Sequence, residues 1–247
     1  MNIFRAPLLI GLSLTLLLAT ASSQEQAQSA GQWVKSQPAA SQTPVYKPPL
    51  RGAPVTRVGG ASRGVSDHNL ILSVLAPEST GLTNRAQPTL YWYSSRALTA
   101  PLEFTLIDDH SIKPLVELKI PVKQPGIQAL RLPYPLKPDV EYQWTVAAVT
   151  HPDARAGDIL ASGTIRRTEL SPALTAQLKQ TNQHEQPFLY AREGFWYDAL
   201  AVLSEQMQAN PVDSALYEQR AALLEQVGLT AAATADRVNP RLVVAPD

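Results

Sequence analysis

The chain has 247 residues, 21 Lys/Arg against 21 Asp/Glu, and no cysteine. Balanced charge disfavours a general nucleic-acid role, and the missing thiols exclude disulfides, thiolate metal sites and a lipid-modified cysteine anchor. A chain of this length must be held by its own apolar core, with room for one domain and an accessory piece.

Leu8 to Ala19 (LLIGLSLTLLLA) is an uncharged apolar run, preceded by Arg5 and followed by Ala19-Thr20-Ala21. A basic start, a short hydrophobic stretch and a small-x-small site predict a secretory signal peptide over 1–21, cut after Ala21. The run falls short of the ~20 residues that a bilayer-crossing helix needs. The mature protein is therefore expected outside the cytoplasm, periplasmic or otherwise exported, with no stable membrane insertion.

Residues 22–49 are rich in Ser, Gln, Ala and Pro and predict a disordered linker, with Trp33 a stray aromatic in the tether or an anchor for a partner. A Gly/Arg arm follows over 50–68. Arg51, Arg57 and Arg63 recur every six residues among glycines, a pattern that suits an anion cradle or an ordered arm packed across the rest of the protein. Charge is uneven: Ser22–Ser66 holds five Lys/Arg against one acid, and Ser171–Asp247 holds five against nine. The arm is accordingly expected against the acidic C-terminal part or the edge beside it.

From Asn69 the pattern changes to short β-like runs: Leu70–Leu75, Thr89–Tyr93, Leu102–Asp108, Leu115–Ile120, Ile127–Leu132, Tyr142–Val149 and Ile159–Ile165. Leu102, Phe104 and Leu106 alternate with Glu103 and Thr105, and Val116, Leu118 and Ile120 with Glu117 and Lys119, as half-buried strands require. The 21 prolines often punctuate such runs. Seven runs in about a hundred residues predict, over 69–167, a seven-stranded antiparallel sandwich of immunoglobulin or fibronectin type. Tyr142, after the Pro138 turn, is placed for a tyrosine corner, its hydroxyl reaching back to upstream backbone. Trp92 and Trp144 are the expected inter-sheet core residues.

After Leu170 the period becomes helical, and 170–229 is read as a helical hairpin with 230–247 a flexible tail. Ser171-Pro172 gives an N-cap and a first-turn proline. Leu189, Trp196, Leu200, Leu203 and Met207 form one apolar stripe. Asn210-Pro211-Val212-Asp213 suggests a second cap, with Val212, Leu216, Leu223 and Val227 as the next stripe, stopped by Gly228. The spacing of Gly194, Ala199, Leu200 and Pro211 is similar to one tetratricopeptide repeat, without a second copy.

Several segments resemble a known family: Pro49–Pro54 with Gly59–Gly64, Leu75-Ala76-Pro77-Glu78, Gln87–Tyr93, Leu136–Trp144, and Ala191–Leu200. In this order they are similar to an exported bacterial family catalogued as a domain of unknown function, number nine hundred and twenty-eight in that series, over roughly Tyr46 to Leu229. The resemblance implies an extracytoplasmic protein with a β-sandwich and a helical tail. It carries over no catalytic residue.

Asp108-Asp109-His110 is the densest ionisable cluster. It offers a histidine base beside carboxylates or a metal site, or else an exposed turn between strands. The other histidines are scattered over separate loops, and Ser162 reads as a strand residue. Phe188, Tyr190, Phe195, Trp196 and Tyr197 cluster near the long helix, as packing against the sandwich or as a partner patch. The sequence thus predicts a non-catalytic binding or scaffolding module of the cell envelope, its partner an envelope protein or polymer. Arg51, Arg57, Arg63, Phe195 and Trp196 are its candidate contact residues, and no cofactor, metal ligand set or catalytic residue is expected. The alternative is an envelope hydrolase or metal-dependent enzyme using Asp108, Asp109 and His110.

Overall fold

Some strands alternate apolar and polar side chains, and others are buried along most of their length. The structure, a computed structural model, describes residues 42–49, 58–59, 70–108, 113–150, 153–238 and 242–244, all within the unit Pro38–Asp247. The predicted signal peptide and nearly all of the Gly/Arg arm lie outside these residues. The described strands are β1 (Val58–Gly59), β2 (Leu72–Val74), β3 (Gly81–Thr83), β4 (Thr89–Ser94), β5 (Leu102–Asp108), β6 (Val116–Ile120), β7 (Gly126–Arg131), β8 (Glu141–Ala148), β9 (Ile159–Arg167) and β10 (Leu242–Val244).

They form two five-stranded sheets, ordered β1-β2-β4-β7-β10 and β3-β9-β8-β5-β6. The seven expected runs each coincide with a strand. The expectation of seven strands, all antiparallel, is corrected by β1, β3 and β10. Of these, β3 lies parallel to β9 (Gly81 opposite Ile165) and β10 parallel to β7 (Leu242 opposite Ile127). These three strands are too short for readable alternation outside a longer apolar run, and β3 and β10 pair with segments far away in the chain.

Buried residues of both sheets join one core that includes Leu72, Trp92, Phe104, Trp144 and Ile165. Trp92 and Trp144 are each 0% exposed, as the sequence suggests, and the Trp144 ring lies 6.3 Å from that of Phe104. The Tyr142 hydroxyl accepts a hydrogen bond from the Lys137 N–H at 3.1 Å, so the expected corner forms. The turn before it places Asp139 at φ 58, a conformation that Asp tolerates better than most residues.

Five helices come next: α1 (Pro172–Gln180), α2 (Gln186–Arg192), α3 (Trp196–Ala209), α4 (Ser214–Gln226) and α5 (Thr230–Val238). Ser171 caps α1 as predicted, its hydroxyl accepting from the Leu174 N–H at 3.1 Å. Three helical readings change. The stripe from Leu189 to Met207 is broken at Gly194, whose φ of +83 ends one helix and aims the next. The second cap is Asp213, which accepts from the Ala215 N–H at 3.0 Å. Pro211 and Val212 form the turn, and Val212 is 94% exposed. Lastly, residues 230–238 of the supposed tail are helical: the α5 residues Ala232 and Ala233 are buried, and Asp236 forms a buried bidentate pair with Arg220 of α4 at 2.5 and 2.7 Å. The buried face of α5 is made of alanines and one aspartate, side chains that do not read as a core stripe in the sequence.

Candidate functional site

The strands and helices meet along the N-terminal turn of α3, where three consecutive side chains each make a different joint. The indole N–H of Trp196 donates to the Leu75 carbonyl at 2.8 Å. The Tyr197 hydroxyl accepts from the Trp144 indole at 2.9 Å and donates to the Thr164 carbonyl at 3.0 Å. Gly81 of β3 is needed here, because a Cβ on it would stand 2.7 Å from the Tyr197 ring.

Asp198 is the third, completely buried near the helix start, where a negative charge suits the unpaired amides. One carboxylate oxygen accepts from the Asn84 N–H at 2.9 Å, and the other lies 3.6 Å from Arg85 Nε. Burial pushes this carboxyl up to about 6, against the opposing pull of the Asn84 amide and Arg85. Arg85 also grips Glu205 of α3 at 2.6 and 3.4 Å. The loop after β3 is thereby tied to the helices by charge as well as by packing.

An extended strap, Gln42–Pro49, crosses this junction. Its Tyr46 ring meets Trp196 edge-on, with centroids 4.8 Å apart. The Tyr46 N–H donates to Gln226 Oε1 at 2.9 Å, Gln226 Nε2 donates back to the Pro44 carbonyl at 2.7 Å, and the Lys47 N–H donates to the Ala191 carbonyl at 3.0 Å. The strap belongs to the stretch 22–49 read as a disordered linker; its described part is instead docked, with Pro44 and Tyr46 buried. Beside it opens a groove of about 410 Å³ between Tyr46 and Pro48, the Pro77–Ser79 turn, and Gln226 to Gly228 at the end of α4. The lining combines a ring and two prolines with carboxylate, hydroxyl and amide groups. Such a surface can hold an apolar ligand face and orient its polar groups.

The residues singled out in the sequence fall elsewhere. Phe195 and Trp196, expected as contact residues, are 5% and 0% exposed. They serve the core: Phe195 packs with Leu174 and Leu178, and Trp196 with the strap. Aromatics of this size are worth most where water is excluded, so the cluster marked an internal joint. Arg51, Arg57 and Arg63 lie outside the described residues, as do Asp109 and His110. Asp108 ends β5, which pairs antiparallel with β6. Ser162 is a strand residue with its hydroxyl 2.8 Å from that of Thr145. Among the described residues no cluster of three His, Cys, Asp or Glu side chains could hold a metal ion. Several helical acids proposed as partners for the arm are engaged by other arginines: Glu205 by Arg85, and Glu218 and Glu225 by Arg237. Gln226 carried no sequence signal, since it acts through a common amide, and Ala191, though it heads one of the family-like segments, acts through its backbone.

The junction lies inside a recognised unit: the model of the family described as Domain of Unknown Function (DUF928) matches residues 58–237. The chain belongs to that family. The match contains the α3 joint, Gln226 and Ala191, and leaves out the strap. A search of the curated proteins finds no match. Among solved structures, this chain is similar to Astrotactin-2, described as a conserved vertebrate-specific and perforin-like membrane protein involved in neuronal development. Identity is 13%, 70% of this chain and 34% of that chain are covered, and the TM-score is 0.24. The chain thus spans about a third of that protein's length, and a likeness at this score carries no argument. No described helix is long and apolar enough to cross a membrane.

Proposed function

We propose that the protein is an exported, non-catalytic binding or scaffolding module of the bacterial cell envelope, acting on an envelope protein or polymer. The observation that carries this reading is the open groove where strap, sandwich and helices meet. Its volume, about 410 Å³, falls in the range of ligand sites, and its walls come from the strap, the Pro77–Ser79 turn and the end of α4. The basic start and short apolar run of 1–21 support export. The strand order supports an immunoglobulin- or fibronectin-like sandwich: β2-β4-β7 lie in one sheet and β6-β5-β8-β9 in the other, with the Tyr142 corner at the start of β8. Such sandwiches serve many functions, so the groove and not the fold bears the argument.

The test has two arms. N-terminal sequencing of exported material is expected to begin at or near Ser22; retention of Met1 with the chain in the cytoplasm overturns the export reading. A photo-crosslinking residue at Glu78, on the groove rim, is expected to give one discrete envelope adduct in living cells. The same residue at Glu117, on the exposed face of β6, is the control. Equal adducts from both positions, or none from Glu78, overturn the groove as the binding site.

A further inference from the structure

We infer that Gln42–Pro49 is an exchangeable peptide ligand bound in cis, and that the domain behind it carries a preformed seat for an extended Pro-Val-Tyr-Lys-Pro-Pro segment. The segment fits this role by its own chemistry. Three of its eight residues are prolines, which preset an extended backbone and lower the entropy lost on docking. It joins no helix or sheet. Its residues alternate along the seat: Pro44 and Tyr46 are buried, and Val45 and Lys47 are exposed. Backbone hydrogen bonds with pockets for alternate side chains are the usual grammar of extended-peptide recognition.

The seat matches on its side. The Gln226 amide brackets Val45, accepting from the Tyr46 N–H and donating to the Pro44 carbonyl, and so reads backbone on both sides of one residue. The Ala191 carbonyl takes the Lys47 N–H. Trp196 supplies the aromatic wall and is fixed by its own bond to Leu75, independently of the strap. Gly194 leaves room for the passing chain, since a Cβ there would lie 3.2 Å from the Lys47 carbonyl oxygen and 3.3 Å from Pro49 Cδ. The bonds to Gln226 join residues 180 and 182 positions apart, so the strap is held by parts of the chain remote in sequence. The family match at 58–237 contains every seat residue named and none of the strap. Ligand and seat are separable modules joined by the eight residues 50–57. Ligand and seat share one chain, which keeps the seat filled in cis, and exchange between two copies uses the same contacts.

The inference stands whether or not the neighbouring groove binds an envelope component. The probe is a fluorescent synthetic peptide with the sequence of residues 42–49, added to the full chain. Tyr46→Ala frees the strap while leaving the seat intact, and this variant is expected to bind the peptide at least about tenfold more tightly than the unaltered chain, whose seat is occupied. A peptide with alanine in place of the tyrosine is expected not to bind. Lys47→Pro removes the backbone donor to Ala191 and keeps the Tyr46 ring, and serves as the second opening if Tyr46→Ala does not fold. Adding Gln226→Ala to either variant is expected to abolish the gain. If the folded, opened variants bind the peptide no better than the unaltered chain, or if the gain survives Gln226→Ala, the strap is a fixed structural part and the inference fails.

Discussion

Between β2 and β9 the polar residues buried whole carry hydroxyls or an amide, apart from Asp158 beside β9, and the Glu141–Arg166 pair joining β8 to β9 is only half-buried. In the helices, Asp198, Arg220 and Asp236 are all buried with their charges. The strands need no such devices. Ladder hydrogen bonds set their register, and alternation decides which side chains face the core. Helices satisfy their backbones internally and can slide or rotate against a neighbour unless side chains stop them. α5 buries little more than alanines against α4, so the Arg220–Asp236 pair, with Ser204 accepting from Arg220 at 2.9 Å, supplies the direction that packing lacks. The same contrast explains why the two layers meet through hydrogen-bonded rings and not through apolar surface alone.

The comparison breaks most visibly at the buried pair. Arg220→Ala is expected to cost ~3–5 kcal/mol in urea unfolding, because it strands Asp236 in the core. Replacing both with apolar residues of similar size is expected to recover most of the loss. An equally large loss in the double variant would mean that the pair stabilises outright.

The joint between layers is expected to respond less. Tyr197→Phe removes the acceptor for the Trp144 indole and the donor to Thr164, at a cost of ~1–3 kcal/mol. Thermal unfolding is expected to remain a single transition. Two separate transitions in the unaltered chain would show that strands and helices are not one cooperative unit.

Asp198 sharpens the contrast through pH. Its carboxyl titrates at about 6 in the folded chain against an ordinary 3.8, so the folded state takes up the proton first. Stability is therefore expected to rise by roughly 1 kcal/mol as pH falls from 7 to 5. Glu103, Glu218 and Glu225 are held low by arginines, and their contribution is lost only as pH falls further. Asp198→Asn is expected to flatten that rise while keeping an acceptor for the Asn84 N–H. A slope that survives the substitution assigns it to another group.

The smallest effect belongs to the exposed charges. Glu218→Gln, beside Arg237, is expected to change stability by less than ~1 kcal/mol and to lose what effect it has in high salt. A larger, salt-independent loss would place that pair with the buried ones.

Local pattern determined the seven expected strands, the Tyr142 corner, the Ser171 cap and the helical character of the chain beyond Leu170, because each depends on neighbours within a few residues. The sites were less legible. The aromatic cluster around Trp196 was visible, but one sequence serves equally for an outward patch or an inward joint, and only packing decided for the joint. The strap was hidden by its composition: a Pro-rich run with too little to bury alone reads as a linker until Gln226, Ala191 and Trp196 are brought to it from far along the chain. The parallel edge strands and α5 were decided in the same way, by pairing or burial against distant partners. Local pattern specifies what a segment can form, and the tertiary structure decides which weak segments find a surface that offsets the entropy of ordering them.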